Sequence, residues 1–233
     1  MLIFLDIQTS GLEREDVVCS IALLSEIESL YELVNEGKKI PPQASAIHHI
    51  TNEMIHNSPK LKETDTWNYL QKYNTREHLL VGHNIGFALR FLENSGFVWQ
   101  GDIVDTQRVS KHLLGECEEF SLQYLRYELK LYAEEPRLKA EYGIKDALEP
   151  YSALGHVIVI KALFEMLVEM CGVDQLRLLT TQKVLLGKFS FGKYQSRYIE
   201  EIVMSDRGYI EWMLALEDLD EDLRYSLEYY LQG

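Results

Sequence analysis

Positive charge is in short supply in this sequence: 23 Lys and Arg stand against 37 Asp and Glu, for a formal net charge of −14. Lys and Arg supply most of the affinity that proteins have for phosphate backbones, so this balance excludes a broad, charge-driven grip on nucleic acid and leaves room only for a local one. Cysteine is scarcer still. Cys19, Cys117 and Cys171 are widely separated, odd in number and free of CxxC spacing, which argues against a disulfide frame or a zinc site and suits a reducing cytoplasm. All three read as core residues. Apolar runs long enough for a membrane are missing too. The opening MLIFLDIQ is apolar for a few residues before Asp6 and has no basic leader, so it reads as a strand rather than a signal peptide or a membrane span. No membrane partner is expected, and no repeat or low-complexity segment interrupts the chain.

What is present is ample material for a core. At 233 residues and 46% hydrophobic content, the chain fits one large domain or one domain with a small appendage. Apolar runs in LIFLDI, VVCSIALLSEI and SLYELVN, bounded by Gly and charged clusters, predict three strands that open a buried sheet in antiparallel order. The stretch KKIPPQASAIHHITNEMIHNSP breaks this regularity, and Thr51 is a fitting N-cap for a short helix. LLVGHNIGFALRFLENSG predicts a strand, a turn and a helix ended by Gly96, and DIVDTQRVSKHLL a further strand and helix. Leu122, Leu125 and Leu129 keep helical spacing. Pro150 stands where a first helical residue is allowed, and a long apolar helix is predicted from Tyr151 to about Met170. Leading strands followed by alternating strands and helices make an α/β or α+β domain with one mixed sheet.

Composition changes beyond Gly172, which predicts a boundary between residues 172 and 182. From Gln182 to Ile199 there are four cations, Lys183, Lys188, Lys193 and Arg197, and no acid; Phe189, Phe191, Tyr194 and Tyr198 are interleaved with them. Two readings stand side by side. The island is either a stacking platform for unpaired bases with cations along the backbone, or a small hairpin whose aromatics make a minicore and whose cations face water. The remainder, GYIEWMLALEDLDEDLRYSLEYYL, reads as amphipathic helix.

FLDIQTSGL at the start, VGHNIGFALRFL in the middle and YSALGHVIVIKALF later on fall in the order and spacing of three motifs. In this they resemble the DEDD-type (DnaQ-like) exonucleases, which include the proofreading subunit of bacterial DNA polymerase III. IHHIT at 47–51 and VDTQRVS at 104–110 resemble segments that recur between those motifs, and FSFGKYQSRYIEEI with DRGYIEWML is similar to the C-terminal module of exodeoxyribonuclease X and its relatives. The resemblance implies an exonuclease-like domain over 1–172 and a module over 183–233. It also implies a ribonuclease H-like fold: a five-stranded mixed sheet with helices on both sides.

In active members, the resemblance implies, the first motif supplies Asp-x-Glu, the second an Asp, and the third a His and an Asp spaced His-x-x-x-x-Asp. Alternate strand residues point to one face, so Asp-x-Glu aims two carboxylates at one pocket. Two hard cations then lie among the four acids, one activating water and one steadying the leaving oxygen, while the His is general base. This chain departs from that pattern. Asp6 is kept, the Glu position is Gln8, the second-motif Asp position is Ala88, and YSALGH places Tyr151 at the His position and His156 at the Asp position. A rival register through KDALEP, with Lys145 and Pro150, fares no better. Of the five catalytic positions only Asp6 survives, and it is the one metal ligand retained.

The expectation is therefore a pseudo-exonuclease that binds single-stranded nucleic acid or a protein partner and needs no cofactor. The alternative is an active metal-dependent 3′-to-5′ DNA exonuclease using Mg²⁺ or Mn²⁺ at an altered site. A one-metal version would draw on Asp6, His156 and an acid such as Asp105 or Asp146, although His prefers softer ions. Strand contacts are assigned to Thr9, His49, Asn84 and Phe87 around the pocket, and to Lys188, Phe189, Lys193, Tyr194 and Arg197 in the C-terminal module. His48 and His83 are open between turn residues and substrate contacts.

Overall fold

Strand β1 (Leu2–Thr9) pairs antiparallel with β2 (Val18–Ser25), which pairs antiparallel with β3 (Ser29–Leu33). On its other side β1 takes β4 (Leu79–Gly82) in parallel, and β4 takes β5 (Asp102–Asp105), giving one five-stranded sheet in the order β3-β2-β1-β4-β5. The expected mixed sheet with an antiparallel opening is what forms. This computed structural model describes residues 1–145 and 151–232. Asp146, Pro150 and most of the KDALEP register lie outside the described residues.

Helices fill the connections. In sequence, α1 (Pro42–His48), α2 (Asn52–Ile55) and α3 (Asp65–Lys72) lie between β3 and β4, and α4 (Ile85–Asn94) between β4 and β5. After β5 come α5 (Thr106–Leu113), α6 (Leu122–Glu128), α7 (Glu135–Glu141), α8 (Ala153–Cys171) and α9 (Val173–Thr181). The central strand is covered on both faces, and its period of two sorts its residues between them. Ile3, Leu5 and Ile7 join Trp67, Leu70, Phe91 and Leu92 in one core cluster. Phe4 packs edge-on against Phe164 of α8 with ring centroids 5.4 Å apart. Asp6 and Gln8 share the parity of Phe4, so they face the side that α8 covers.

Local chemistry explains where the elements start and stop. Ser152 accepts the Gly155 N–H at 3.0 Å, so α8 begins at Ala153, two residues later than expected. Gly96 adopts φ +85° just after α4, as the expected stop requires. Helix α3 has no counterpart in the sequence reading. It is capped locally by Thr64 and from a distance by Glu32 of β3, whose carboxylate accepts the Asp65 and Thr66 N–H groups at 3.0 and 2.8 Å. Of the three cysteines, only Cys19 is a core residue; Cys117 and Cys171 are half-buried.

The chain divides into two compact units, Met1–Ser110 with Glu116–Thr180, and Lys111–Gly115 with Thr181–Gly233. The second has its own core of Phe189, Ile199, Ile202, Ile210, Met213, Leu223 and Leu227, carried on α10 (Ile199–Ser205), α11 (Arg207–Leu214), α12 (Glu221–Gln232) and the segment before them. The final stretch is thus two helices, not one. Glu217, Asp218, Asp220, Glu221 and Asp222 crowd like charge onto neighbouring turns. Arg224 closes α11 by donating to the Leu214 and Leu216 carbonyls at 2.7 and 2.6 Å, while Asp220 accepts the Leu223 N–H to open α12.

Asp105, at the end of β5, ties two helix starts together. Its carboxylate accepts backbone N–H groups from Asn84 and Ile85, where α4 begins, and from Gln107 and Arg108 in α5, at 2.9 to 3.3 Å. Asp105→Ala leaves these donors without an acceptor in a buried setting and is expected to lower stability by about 3 kcal/mol or more, read as a shift of the urea midpoint. Phe189→Ala removes a ring that is 2% exposed and is expected to lower the stability of the second unit by about 3–5 kcal/mol.

Candidate functional site

The central strand delivers Asp6 and Gln8 to the α8 side of the sheet, and the first turn of α8 delivers His156 to the same place. Gln8 Nε2 donates to Asp6 Oδ2 at 2.9 Å, and His156 Nδ1 lies 3.1 Å from that oxygen and 3.3 Å from Gln8 Nε2. A carboxylate can only accept, so a proton on Nδ1 is the arrangement that avoids two lone pairs facing each other. Both donors then converge on one oxygen of Asp6. The His156 and Asp6 side chains are only 18% and 15% exposed, and His156 Nε2 is buried without a hydrogen-bond partner among the described residues. Three positions 148 to 150 residues apart in sequence, or two apart on one strand, close into a triangle.

The other two family positions, Ala88 and Tyr151, take no part in this triangle of hydrogen bonds. Ala88 lies on the buried face of α4 in the core cluster. Tyr151 is 42% exposed, its ring 5.9 Å from that of His49, and His49 itself is the left-handed residue that ends α1. Thr9 is buried and spends its hydroxyl on the Gly11 carbonyl at 2.6 Å. Asn84 is exposed, with φ +54° at the start of α4, and Phe87 packs on Phe91 beneath the Arg90 guanidinium.

Two histidines left open by the sequence have structural work. His48 is buried; its Nδ1 accepts the Ile50 N–H, which leaves Nε2–H to donate to the Thr9 carbonyl at 3.2 Å. Burial holds its pKa below the usual imidazole value. His83 bridges Thr106 Oγ1 and the Phe120 carbonyl through its two ring nitrogens. Asp105 directs both its oxygens to backbone N–H groups, which gives it a capping role at two helix starts. Burial pushes its carboxyl upward against the pull of those donors.

A pair of hard divalent cations does not fit these residues. Such ions call for several charged oxygens. Of the family positions only Asp6 is a carboxylate, and its Oδ2 already receives two donors; Gln8 turns its NH₂ toward it, Ala88 has no donor atom, and His156 offers nitrogen. Among the described residues no group of three or more His, Cys, Asp or Glu is placed to hold a metal ion.

In the second unit the cationic, aromatic island separates into inner and outer parts. Phe189 belongs to the core, so its ring is closed to stacking, contrary to its assignment as a strand contact. Tyr194 packs at the edge of that core and donates its hydroxyl to Asp206 at 2.6 Å. Lys193 pairs with Asp206 at 3.0 Å, and Arg197 with Glu201 at 2.5 Å. The Tyr194 hydroxyl and then Lys193 hold the Asp206 carboxyl below its ordinary pKa. Phe191 and Tyr198 remain 51% and 59% exposed, and Lys188 Nζ lies 4.8 Å from the Tyr198 ring centre. The sequence named all of these residues but not the pairing of Lys188 with Tyr198, which arises from chain reversal.

Comparison with known proteins agrees with this architecture. The family model described as Exonuclease matches residues 3–139, and the one described as Exodeoxyribonuclease X-like C-terminal matches residues 189–218. Exodeoxyribonuclease 10 of Escherichia coli (strain K12) is 25% identical over 239 residues, covering 100% of both chains. Among solved structures, exonuclease X in complex with 5′ overhanging duplex DNA superposes with a TM-score of 0.58 at 23% identity, over 77% of this chain and 99% of that one. Escherichia coli exonuclease I in complex with a dA16 oligonucleotide gives 0.52 at 16% identity, over 76% and 42%. The sheet and its flanking helices are the ribonuclease H-like fold of these enzymes, and the chain belongs to the exonuclease family as a DnaQ-like member with an exodeoxyribonuclease X-like C-terminus.

Proposed function

We propose that this chain is a pseudo-exonuclease: a cytoplasmic protein that keeps the nuclease shape over residues 1–172, carries a nucleic-acid-binding module over 183–233, and retains a single strand without hydrolysing it. The observation that carries this reading is the Asp6–Gln8–His156 triangle. The one surviving carboxylate is engaged by an amide and an imidazole at the positions where the family's pattern has two further carboxylates. Support for nucleic acid as the partner comes from the relatives, since exonuclease X and exonuclease I are named in complex with duplex DNA and with an oligonucleotide. No described helix is long and apolar enough to cross a membrane.

A second reading, an active 3′-to-5′ exonuclease with an altered metal site, is favoured by the retention of Asp6 and by the Nε2 of His156 beside it, which has no hydrogen-bond partner among the described residues. One assay separates the two. A labelled single strand incubated with the protein and Mg²⁺ or Mn²⁺ is expected to keep its length while being retarded on a native gel. Shortening that disappears in Asp6→Ala establishes the second reading instead.

Ion binding is open to a test that needs no activity. A bound ion stabilises the native state by RT ln(1 + [L]/Kd), about 2.7 kcal/mol at a hundredfold excess over Kd. Neither Mg²⁺ nor Mn²⁺ at millimolar concentration is expected to raise Tm, and EDTA is expected to leave strand retention unchanged.

A further inference from the structure

We propose that the outer face of the hairpin between Gly187 and Ile199, centred on the Lys188–Tyr198 pair, is where the second unit holds an unpaired nucleic-acid strand, with a base stacked on Tyr198 and a phosphate at Lys188. The inference rests on the reading of the chain as a strand-retaining protein.

The hairpin's hydrogen bonds define the face. The Phe189 N–H donates to the Arg197 carbonyl at 3.0 Å, and the Ile199 N–H to the Gly187 carbonyl at 2.9 Å. These two bonds flank Lys188 and Tyr198, which form an antiparallel bridge. The two are therefore a non-hydrogen-bonded pair, the type whose side chains stand closest together and on one side of the ribbon. Successive residues point to opposite sides. Phe189 points into the core, so Lys188 and Tyr198 point away from it.

Charge and exposure single out the same pair. Of the four cations in the acid-free run, Lys193 and Arg197 are already matched by Asp206 and Glu201, and Lys183 lies over Tyr225 at 5.9 Å. The Lys188 ammonium has no carboxylate partner among the described residues, and it sits over a ring that is 59% exposed. Phe191, 51% exposed, offers a second open ring on the same hairpin. In a chain of net charge −14, an open aromatic ring beside an unmatched cation has the two elements of sequence-tolerant single-strand binding, a stacking surface and a phosphate neighbour. A duplex, with its bases already stacked, offers the ring nothing comparable.

The test uses the full chain and an oligo-dT strand carrying one 2-aminopurine, whose fluorescence reports stacking. Tyr198→Leu is expected to weaken binding roughly tenfold or more, and to remove the fluorescence change, while Tyr198→Phe preserves both. Lys188→Gln is expected to reduce the slope of log affinity against log salt by about 0.7, the contribution of one phosphate contact on a single strand. Unchanged thermal unfolding of each variant shows that the hairpin is intact. If the unaltered protein retains the strand and Tyr198→Leu and Lys188→Gln bind it equally well, the proposal is overturned while the strand-retaining reading stands. If the unaltered protein does not bind the strand at all, both fall.

Discussion

The site is organised by the way one half-buried carboxylate, Asp6, finds hydrogen-bond partners. Asp6 sits on the middle strand of the sheet, beneath a helix, where an unpaired charge is costly. Its compensation comes from within the chain: an amide two residues along the same strand and an imidazole from the start of α8. The sheet order puts β1 between β2 and β4; Asp6 is paired with Ala22 of β2, while the pairing of β1 with β4 ends at Phe4. α8, apolar along most of its length, is fixed against the same face by Phe164 and its neighbours. The position of His156 is thereby a consequence of packing, and the pocket holds its own counter-groups.

Much of this was legible in the sequence. The strands declare themselves because their apolar runs are short and bounded by Gly and charge, and the sheet's antiparallel opening follows from their close succession. Gln8, Ala88, Tyr151 and His156 could be placed at their family positions by motif order alone. Their meeting points could not. Gln8 and His156 converge because a strand and a helix 148 residues apart are packed together, while Tyr151, five residues before His156, turns to His49 instead. Glu32 capping α3 and Asp105 capping α4 are equally invisible locally, since a carboxylate far off in the chain supplies what a neighbouring Ser or Thr usually supplies.

The C-terminal island shows the same limit from another side. Composition identified four aromatics among four cations but could not tell inward from outward, because a hairpin's facing depends on which residues pair. Once Lys188 is opposite Tyr198, Phe189 turns inward to the core, and the ribbon's two faces separate buried from exposed aromatics. The acidic run from Glu217 to Asp222 lies where the last helical stretch divides in two, with Arg224 spanning the break.

Asp105 has a consequence for how such a protein can change over time. Its four backbone hydrogen bonds anchor the beginnings of α4 and α5 through groups that every residue except proline possesses. The scaffold around the pocket is thus held by contacts largely indifferent to side-chain identity. Ala88, one turn into α4, stands on a helix start fixed by backbone N–H groups, with its methyl packed in the core cluster. Substitutions other than proline at Asn84, Ile85, Gln107 and Arg108 therefore change side chains without removing the contacts that hold the starts of α4 and α5.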